Sequence, residues 1–152
     1  MDIIDDLKRD EGLRFKPYQC TASCWTIGIG HNLDDLGLTG EQFKKLLDQG
    51  LIKMTISEEG ARQLLLDDLA LIKRDLDQAF KWWRDLPKGV RDAFLNMAFN
   101  LGVPRLKGFK KMLSALETGD FETASREALD SLWARQVGDR ARRIAGSIKK
   151  GV

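Results

Sequence analysis

The chain has 152 residues and a formal net charge of +2, with 43% hydrophobic and 32% charged residues. This composition excludes an intrinsically disordered chain, which would combine low hydrophobicity with high net charge. No apolar run approaches the roughly 18 to 20 residues that span a membrane, and the length suits one compact domain. We therefore expect a single domain without stable membrane insertion.

The first part of the chain predicts a short helix followed by a small sheet. Ile3, Ile4 and Leu7 fall at helical spacing before Gly12, so residues 2–11 are predicted to form an amphipathic helix. Glu11 then lies in its last turn. Residues 14–34 are β-prone and partly alternate, with "QCTAS" as a turn, which indicates an antiparallel sheet.

Two capped helices are predicted in the middle of the chain. Thr39 and Gln42 form a capping-box pattern before a short helix. Ser57 is a typical N-cap for a longer helix, whose first turn is acidic. An apolar stripe runs along this longer helix through Ala61, Leu65, Leu69, Ile72, Leu76 and Phe80. A helix of this length is typical of a link between two lobes.

The remainder of the chain is predicted to be helical. Pro87 suits a first helical turn and Gly102 a helix end, and Pro104 and Gly108 frame a connector. Further helices are predicted through "FKKMLSALE", "DFETASREALDSLWARQ" and "DRARRIAGSIKK". Asp120 and Asp139 are the predicted N-caps of the last two.

These elements predict an α+β fold with a small antiparallel sheet lobe and a helical lobe joined by a long helix. The expected bounds are about 12–60 for the sheet lobe, 57–82 for the linking helix and 83–152 for the helical lobe. The helix at 2–11 is expected to pack with the helical lobe.

The end of the chain is basic, and a solvated helix face or an attraction to an anionic polymer would both explain it. Nucleic acid is disfavoured as that polymer because zinc-finger spacing and an aromatic RNA-binding signature are both missing from the sequence. The start of the chain has no signal region, and Cys20 and Cys24 are its only cysteines. Both features favour a cytoplasmic, reducing compartment.

Three kinds of chemistry fit the stretch from residue 11 to residue 31. A thiol protease would pair a cysteine with His31, the chain's only histidine. Cys20, Cys24 and His31 could bind zinc, but their spacing is unusual and a fourth ligand is not evident. Glycoside hydrolysis needs a carboxylic acid, which Glu11 could supply. From the residues alone, Glu11 would be interpreted as a plain acid on the surface of a helix.

The spacing of Glu11, Cys20 and Thr26, with eight and then five residues between them, resembles the catalytic pattern of the phage-type lysozymes, glycoside hydrolase family 24. The segments "EGLR", "TIGIGH", "NMAFNLG" and "DRARR" resemble that family in the same order. The resemblance covers nearly the whole chain. It implies a muramidase that hydrolyses the β-1,4 bond between N-acetylmuramic acid and N-acetylglucosamine in peptidoglycan.

The resemblance also implies a role for each catalytic position. Glu11 would protonate the glycosidic oxygen, and Thr26 would hold the attacking water. Cys20 stands where the family has either an aspartate or a cysteine, and an ordinary thiol, unlike an aspartate, is mostly neutral at pH 7. Cys20 could direct water, stabilise positive charge or act as a nucleophile; we favour the water-directing role.

Supporting positions follow from the same resemblance. Asn32 and Phe99 match substrate-contacting residues, and the missing side chain of Gly30 would let a saccharide or backbone approach closely. Asp10, Arg140 and Arg143 match an ion-pair cluster behind the acid, and His31 is expected to pair with Asp68.

The implied protein is a monomeric endolysin without metal or organic cofactor, whose substrate lies in a cleft between the lobes. It would accumulate in the host cytoplasm and reach the cell wall only after a holin damages the membrane. A lytic transglycosylase and a catalytically inactive wall-binding module are the alternatives. The sequence leaves open the host, the peptidoglycan type, phage or prophage origin, and whether Cys20 and Cys24 form a disulfide.

Overall fold

A computed structural model describes residues 2–20, 24–34 and 39–152. The chain divides into two compact units, residues 3–68 and residues 69–152, with Asp2 in the second. The first unit holds a small antiparallel sheet beside helices, and the described elements of the second unit are helical. The predicted α+β class is therefore confirmed.

The elements of the first unit follow the order expected from the sequence. They are α1 (Ile3–Glu11), β1 (Arg14–Gln19), β2 (Trp25–Gly28), β3 (His31–Asn32), α2 (Gly40–Asp48) and the first half of α3 (Glu58–Ala79). The predicted turn in "QCTAS" includes residues 21–23, which lie outside the described residues. The core of this unit is formed by Leu7, Ile27, Ile29, Phe43, Ala61 and Leu65.

The sheet has the strand order β1-β2-β3, so β2 is its central strand. Tyr18 on β1 is directly opposite Thr26 on β2, and Thr26 is directly opposite Asn32 on β3. The pairing of β1 with β2 is irregular between Arg14 and Tyr18. Thr26, on this central strand, is buried although it is polar.

Both predicted N-caps of the first unit are present. The Thr39 side chain accepts a hydrogen bond from the Gln42 backbone N–H, and the Gln42 side chain accepts one from the Thr39 N–H. At α3, the Ser57 hydroxyl accepts from the Gly60 N–H at 3.0 Å. These bonds satisfy backbone N–H groups at the helix starts that have no partner within the helices.

The long helix α3 ends at Ala79, so Phe80, the last residue of the predicted stripe, follows the helix rather than belonging to it. Phe80 is nevertheless buried, as are the other stripe residues except Ile72, which is half-buried. The boundary between the two units falls within α3, after Asp68.

The second unit continues from α3 through a 3-10 turn (Trp83–Asp85), α4 (Lys88–Leu101), α5 (Val103–Leu106), α6 (Lys110–Thr118), α7 (Phe121–Leu129), α8 (Leu132–Val137) and α9 (Asp139–Lys150). Both α4 and α7 pack extensively on α9. Its most deeply buried large side chains are Leu76, Trp83, Val90, Phe94, Met97, Leu106, Met112, Leu116 and Ile148.

Three details of the helical prediction are wrong. The predicted connector contains the helix α5, because Pro104 lies in its first turn, where proline's missing N–H costs nothing. The predicted helix from residue 120 to 136 is split at Ser131, whose hydroxyl donates to the Ala128 carbonyl and accepts from the Ala134 N–H. Asp139 is not a cap, because its carboxylate pairs with Arg142 instead.

No helix within the described residues is both long and apolar enough to cross a membrane.

Candidate active site

Glu11 is the last residue of α1, where Gly12 ends the helix with a left-handed φ of 77° and its N–H donates to the Lys8 carbonyl at 3.0 Å. The Glu11 side chain lies against Gly30. A β-carbon at position 30 would come within 3.2 Å of both Cγ and Oε2 of Glu11. The space beside Gly30 is therefore occupied by the side chain of the proposed acid, and the approach of a saccharide or backbone to Gly30 stays a prediction.

Thr26 lies in the middle of a polar row that crosses the three strands. Directly opposite residues of an antiparallel pair project from the same face, so Tyr18, Thr26 and Asn32 share one face of the sheet. Asn32 is exposed, and its Oδ1 accepts from the Asp34 backbone N–H at 2.8 Å. Two residues predicted for the site, Thr26 and Asn32, are thus brought together.

Tyr18, the third member of the row, interacts with Glu11. Burial raises the pKa of the Tyr18 phenol, the negative charge of Glu11 raises it further, and Arg14 opposes both effects. The Arg14 guanidinium carbon lies 5.4 Å from the centroid of the Tyr18 ring, a cation–π distance. The phenol is therefore protonated, and can donate a hydrogen bond, throughout the neutral pH range.

Cys20 does not present a free thiol in this structure. Cys20 and Cys24 form a disulfide with a Cα separation of 5.4 Å, within the range that a disulfide needs. The Cys20 N–H donates to the Cys24 carbonyl at 2.8 Å, and this hairpin bond holds the two backbones together. The disulfide answers the question that the sequence left open for these two cysteines, and in this form of the protein they offer no thiolates for a zinc site.

His31 and Asp68 form the pair that the resemblance implies. His31 Nδ1 lies 2.8 Å from Asp68 Oδ2, and both side chains are about a quarter exposed, at 26% and 24%. The pair joins β3 to the middle of α3. The thiol-protease interpretation lacks a nucleophile in this structure, because Cys20 and Cys24 are both held in the disulfide.

Asp10 and Arg140 are two further predicted supporting residues, and the side chains of both are largely covered. The Asp10 side chain is 1% exposed, with Arg9 Nε 3.4 Å from its carboxylate. In the second unit, Arg140 on α9 is buried, and its guanidinium donates twice to Asn96 Oδ1, at 3.1 and 2.9 Å. An ion-pair cluster of Asp10 with Arg140 and Arg143 stays a prediction. Phe99 is half-buried on α4, and its contact with substrate likewise stays a prediction.

Two polar residues near predicted positions were not found by sequence reasoning. Asn96 is buried among the apolar residues of "AFLNMAF", and a single amide in such a run was a usable signal. Tyr18 had no local signal, because its neighbours depend on strand register. Trp25 packs edge-on against Phe43 at 5.0 Å, and its indole donates to the Gly40 carbonyl.

Comparison with known proteins adds a family to this geometry. The model of the family described as "Phage lysozyme" matches residues 8–150. The chain belongs to the phage lysozyme family. The matched segment includes the complete pattern of Glu11, Cys20 and Thr26, together with the predicted ion-pair positions of α9.

Several curated proteins resemble this phage lysozyme family member over nearly its whole length. It is 34% identical to the pre-baseplate central spike protein Gp5 of Enterobacteria phage T4, over 99% of this chain but only 28% of that protein. It is 30% identical to an endolysin of Acyrthosiphon pisum secondary endosymbiont phage 1, over 95% of this chain and 86% of that one. A probable T4-type lysozyme of Dictyostelium discoideum is 27% identical, over 98% and 94%.

Proposed function

We propose that this protein is a lysozyme that hydrolyses the β-1,4 bond between N-acetylmuramic acid and N-acetylglucosamine in bacterial peptidoglycan. The family and its lysozyme and endolysin relatives support a peptidoglycan-cleaving glycosidase. The observation that carries the proposal for this chain is the contact between the Glu11 side chain and Gly30. Gly30 lies between β2, the strand that contains Thr26, and β3. An acid held by backbone contact has a fixed place from which to protonate a bound substrate.

In the proposed reaction, Glu11 gives its proton to the glycosidic oxygen as the bond to the anomeric carbon breaks. A water held by the Thr26 hydroxyl attacks that carbon from the opposite face of the sugar, which inverts its configuration. The attacking water gives one proton to the thiolate of reduced Cys20, and its oxygen becomes the new anomeric hydroxyl. Asn32, on the same sheet face as Thr26, would contact the glycan, and Phe99 would supply a contact from α4.

Because of the disulfide, Cys20 can take part in the chemistry only in the reduced protein. A disulfide sulfur has no proton to donate and no charge with which to stabilise a cation, whereas a thiolate can accept the proton that the attacking water loses. We therefore propose that Cys20 directs the water only after reduction of its bond to Cys24.

The same proposal covers the biological role. The protein acts as a monomeric single domain that accumulates in the host cytoplasm and reaches peptidoglycan after a holin opens the membrane, as expected for an endolysin. The exposed basic side chains near the end of α9 would assist binding to anionic wall polymers. Among them, Lys149 pairs with Glu122 at 3.2 Å, and Lys150 is exposed.

One alternative is favoured by a specific observation. A disulfide at the position of a catalytic group is compatible with a wall-binding module that has lost turnover. The deciding experiment measures clearing of purified peptidoglycan under reducing conditions, with mass analysis of the released muropeptides. Wild type should release products with new reducing ends, Glu11→Gln should release none, and Glu117→Gln, a change at an exposed acid of α6, should behave as wild type.

Binding without release would replace this proposal by the wall-binding module. Anhydro products in place of reducing ends would replace it by a lytic transglycosylase.

A further inference from the structure

Tyr18 has three features that its contacts within the fold do not explain. It lies at the end of the polar row on the Thr26 face of the sheet, it interacts with Glu11, and its phenol keeps its proton. No hydrogen bond to the Tyr18 hydroxyl is found among the described residues, and the hydroxyl is not a buried, unsatisfied atom. An accessible donor beside the proposed acid requires an explanation.

We propose that Tyr18 is a substrate-binding residue of this site, whose phenol hydroxyl donates a hydrogen bond to an oxygen of the glycan and so positions the glycan against Thr26. The inference deepens the proposed function and rests on it. It adds to the site a residue that the catalytic pattern of Glu11, Cys20 and Thr26 does not contain.

The register of the hairpin supports this placement. Tyr18 and Thr26 are directly opposite in the antiparallel pair, so their β-carbons are roughly 4.5 to 5.5 Å apart on one face. The longer Tyr18 side chain carries its hydroxyl several ångströms beyond the Thr26 hydroxyl. A sugar that approaches a water on Thr26 therefore meets the phenol as well.

The ring of Tyr18 is held in place from its own strand. Arg14, the first residue of β1, places its guanidinium carbon 5.4 Å from the centroid of the Tyr18 ring. Tyr18 is half-buried. A side chain that is already ordered loses little rotamer entropy when it binds a ligand.

The chemistry of a phenol suits a saccharide better than it suits the reaction itself. Its proton is not released near neutral pH, so Tyr18 is not a general base. An uncharged O–H donor with a flat apolar ring can contact both the polar and the apolar parts of a sugar. The resulting contribution is to ground-state binding, which changes KM rather than kcat.

The test uses Tyr18→Phe, which removes only the hydroxyl and keeps the ring under Arg14. The matched control is Gln19→Ala, the next position on β1, which is opposite Trp25 and projects from the other face. Initial rates of reducing-end release are measured for reduced enzyme on a soluble, uncrosslinked peptidoglycan glycan, and thermal unfolding is measured for each variant.

We expect Tyr18→Phe to raise KM about three- to tenfold, the loss of one hydrogen bond, with kcat within about twofold and an unchanged Tm. Gln19→Ala should leave both constants unchanged. Equal KM values for Tyr18→Phe and wild type would overturn the inference. A lower Tm together with equal losses of activity in Tyr18→Phe and Gln19→Ala would overturn it as well. If the wild type releases no reducing ends, the proposed function fails, and calorimetric affinities of wild type and Tyr18→Phe for the same glycan then decide the role of Tyr18.

Discussion

Glu11 and Gly30 are in direct contact, with the acid's carboxyl filling the space that a side chain at position 30 would occupy. A β-carbon there would come within 3.2 Å of Glu11 Oε2, and Gly30 has a left-handed φ of 68°. Gly30 thus does two things at once, since it turns the chain between β2 and β3 and leaves room for the acid.

Gly30→Ala should therefore abolish activity. The loss should be larger than the decrease in folding stability alone would explain. The left-handed backbone should cost about 1 to 2 kcal/mol, and the new methyl group should displace the Glu11 carboxyl. Gly50→Ala is the matched control, because Gly50 has a φ of 66° and open space around the missing β-carbon. Peptidoglycan clearing and thermal unfolding of both variants make the comparison; equal activity in the two would show that the contact with Glu11 has no functional weight.

Reduction of the disulfide should raise activity by roughly 10²-fold, the lower end of what a general base contributes. Cys24→Ser frees Cys20 without any reductant, so this variant should be fully active and indifferent to added thiol. Cys20→Ser should be slow under both conditions. The rate of clearing, measured with and without a reductant alongside a count of free thiols, checks this. Equal rates for oxidised and reduced wild type would remove Cys20 from the mechanism.

Asp77 should stabilise the fold fully above about pH 4 and lose that effect towards pH 2. Hydrogen bonds from Arg84 and from the Trp83 indole lower the pKa of Asp77 from 3.8 to about 2. Because the folded pKa is below the unfolded one, the stabilisation is complete above the unfolded value and is lost as the pH falls from about 4 to about 2.

Thermal unfolding of wild type and Asp77→Asn across that window tests the assignment. The wild type should have the higher Tm at pH 5, and the difference should shrink as the pH falls towards 2. The comparison cancels the other carboxylates with lowered pKa values, Asp120 and Asp139, which both proteins retain. A difference that does not change with pH would mean that the charge of Asp77 is irrelevant.

Asn96→Ala should destabilise the protein by about 1.5 to 3 kcal/mol, because Arg140 is buried and loses two hydrogen bonds. Asn100→Ala offers a neutral comparison, since Asn100 Oδ1 accepts one bond from the Trp133 indole at 2.7 Å. We expect the smaller loss there. Urea denaturation of both variants measures the two free energies of unfolding. A larger loss for Asn100→Ala than for Asn96→Ala would contradict the argument that the buried charge of Arg140 makes its lost hydrogen bonds costly.

Local signals predicted the fold well where a short stretch of sequence determines the structure. The capping box at Thr39 and Gln42 depends on residues three apart, and it is present. The break at Ser131 was missed because the apolar period continues through it, while the serine's own hydrogen bonds divide the helix.

The site was harder to predict from the sequence, because its geometry depends on how distant parts of the chain pair in the folded protein. The position of Tyr18 relative to Thr26 follows from strand register, which the residues of β1 alone do not specify. The bond between Cys20 and Cys24 depends on a backbone separation of 5.4 Å, which only the folded hairpin sets.

The boundary between the two units lies within the continuous helix α3, after Asp68. In an α-helix each N–H donates to the carbonyl four residues earlier, so the amides of residues 69–72 donate to carbonyls on the other side of that boundary. Local opening of the first unit as far as Asp68 breaks these bonds even while the second unit stays folded. Protection of those four amides from hydrogen exchange therefore reports the integrity of both units at once.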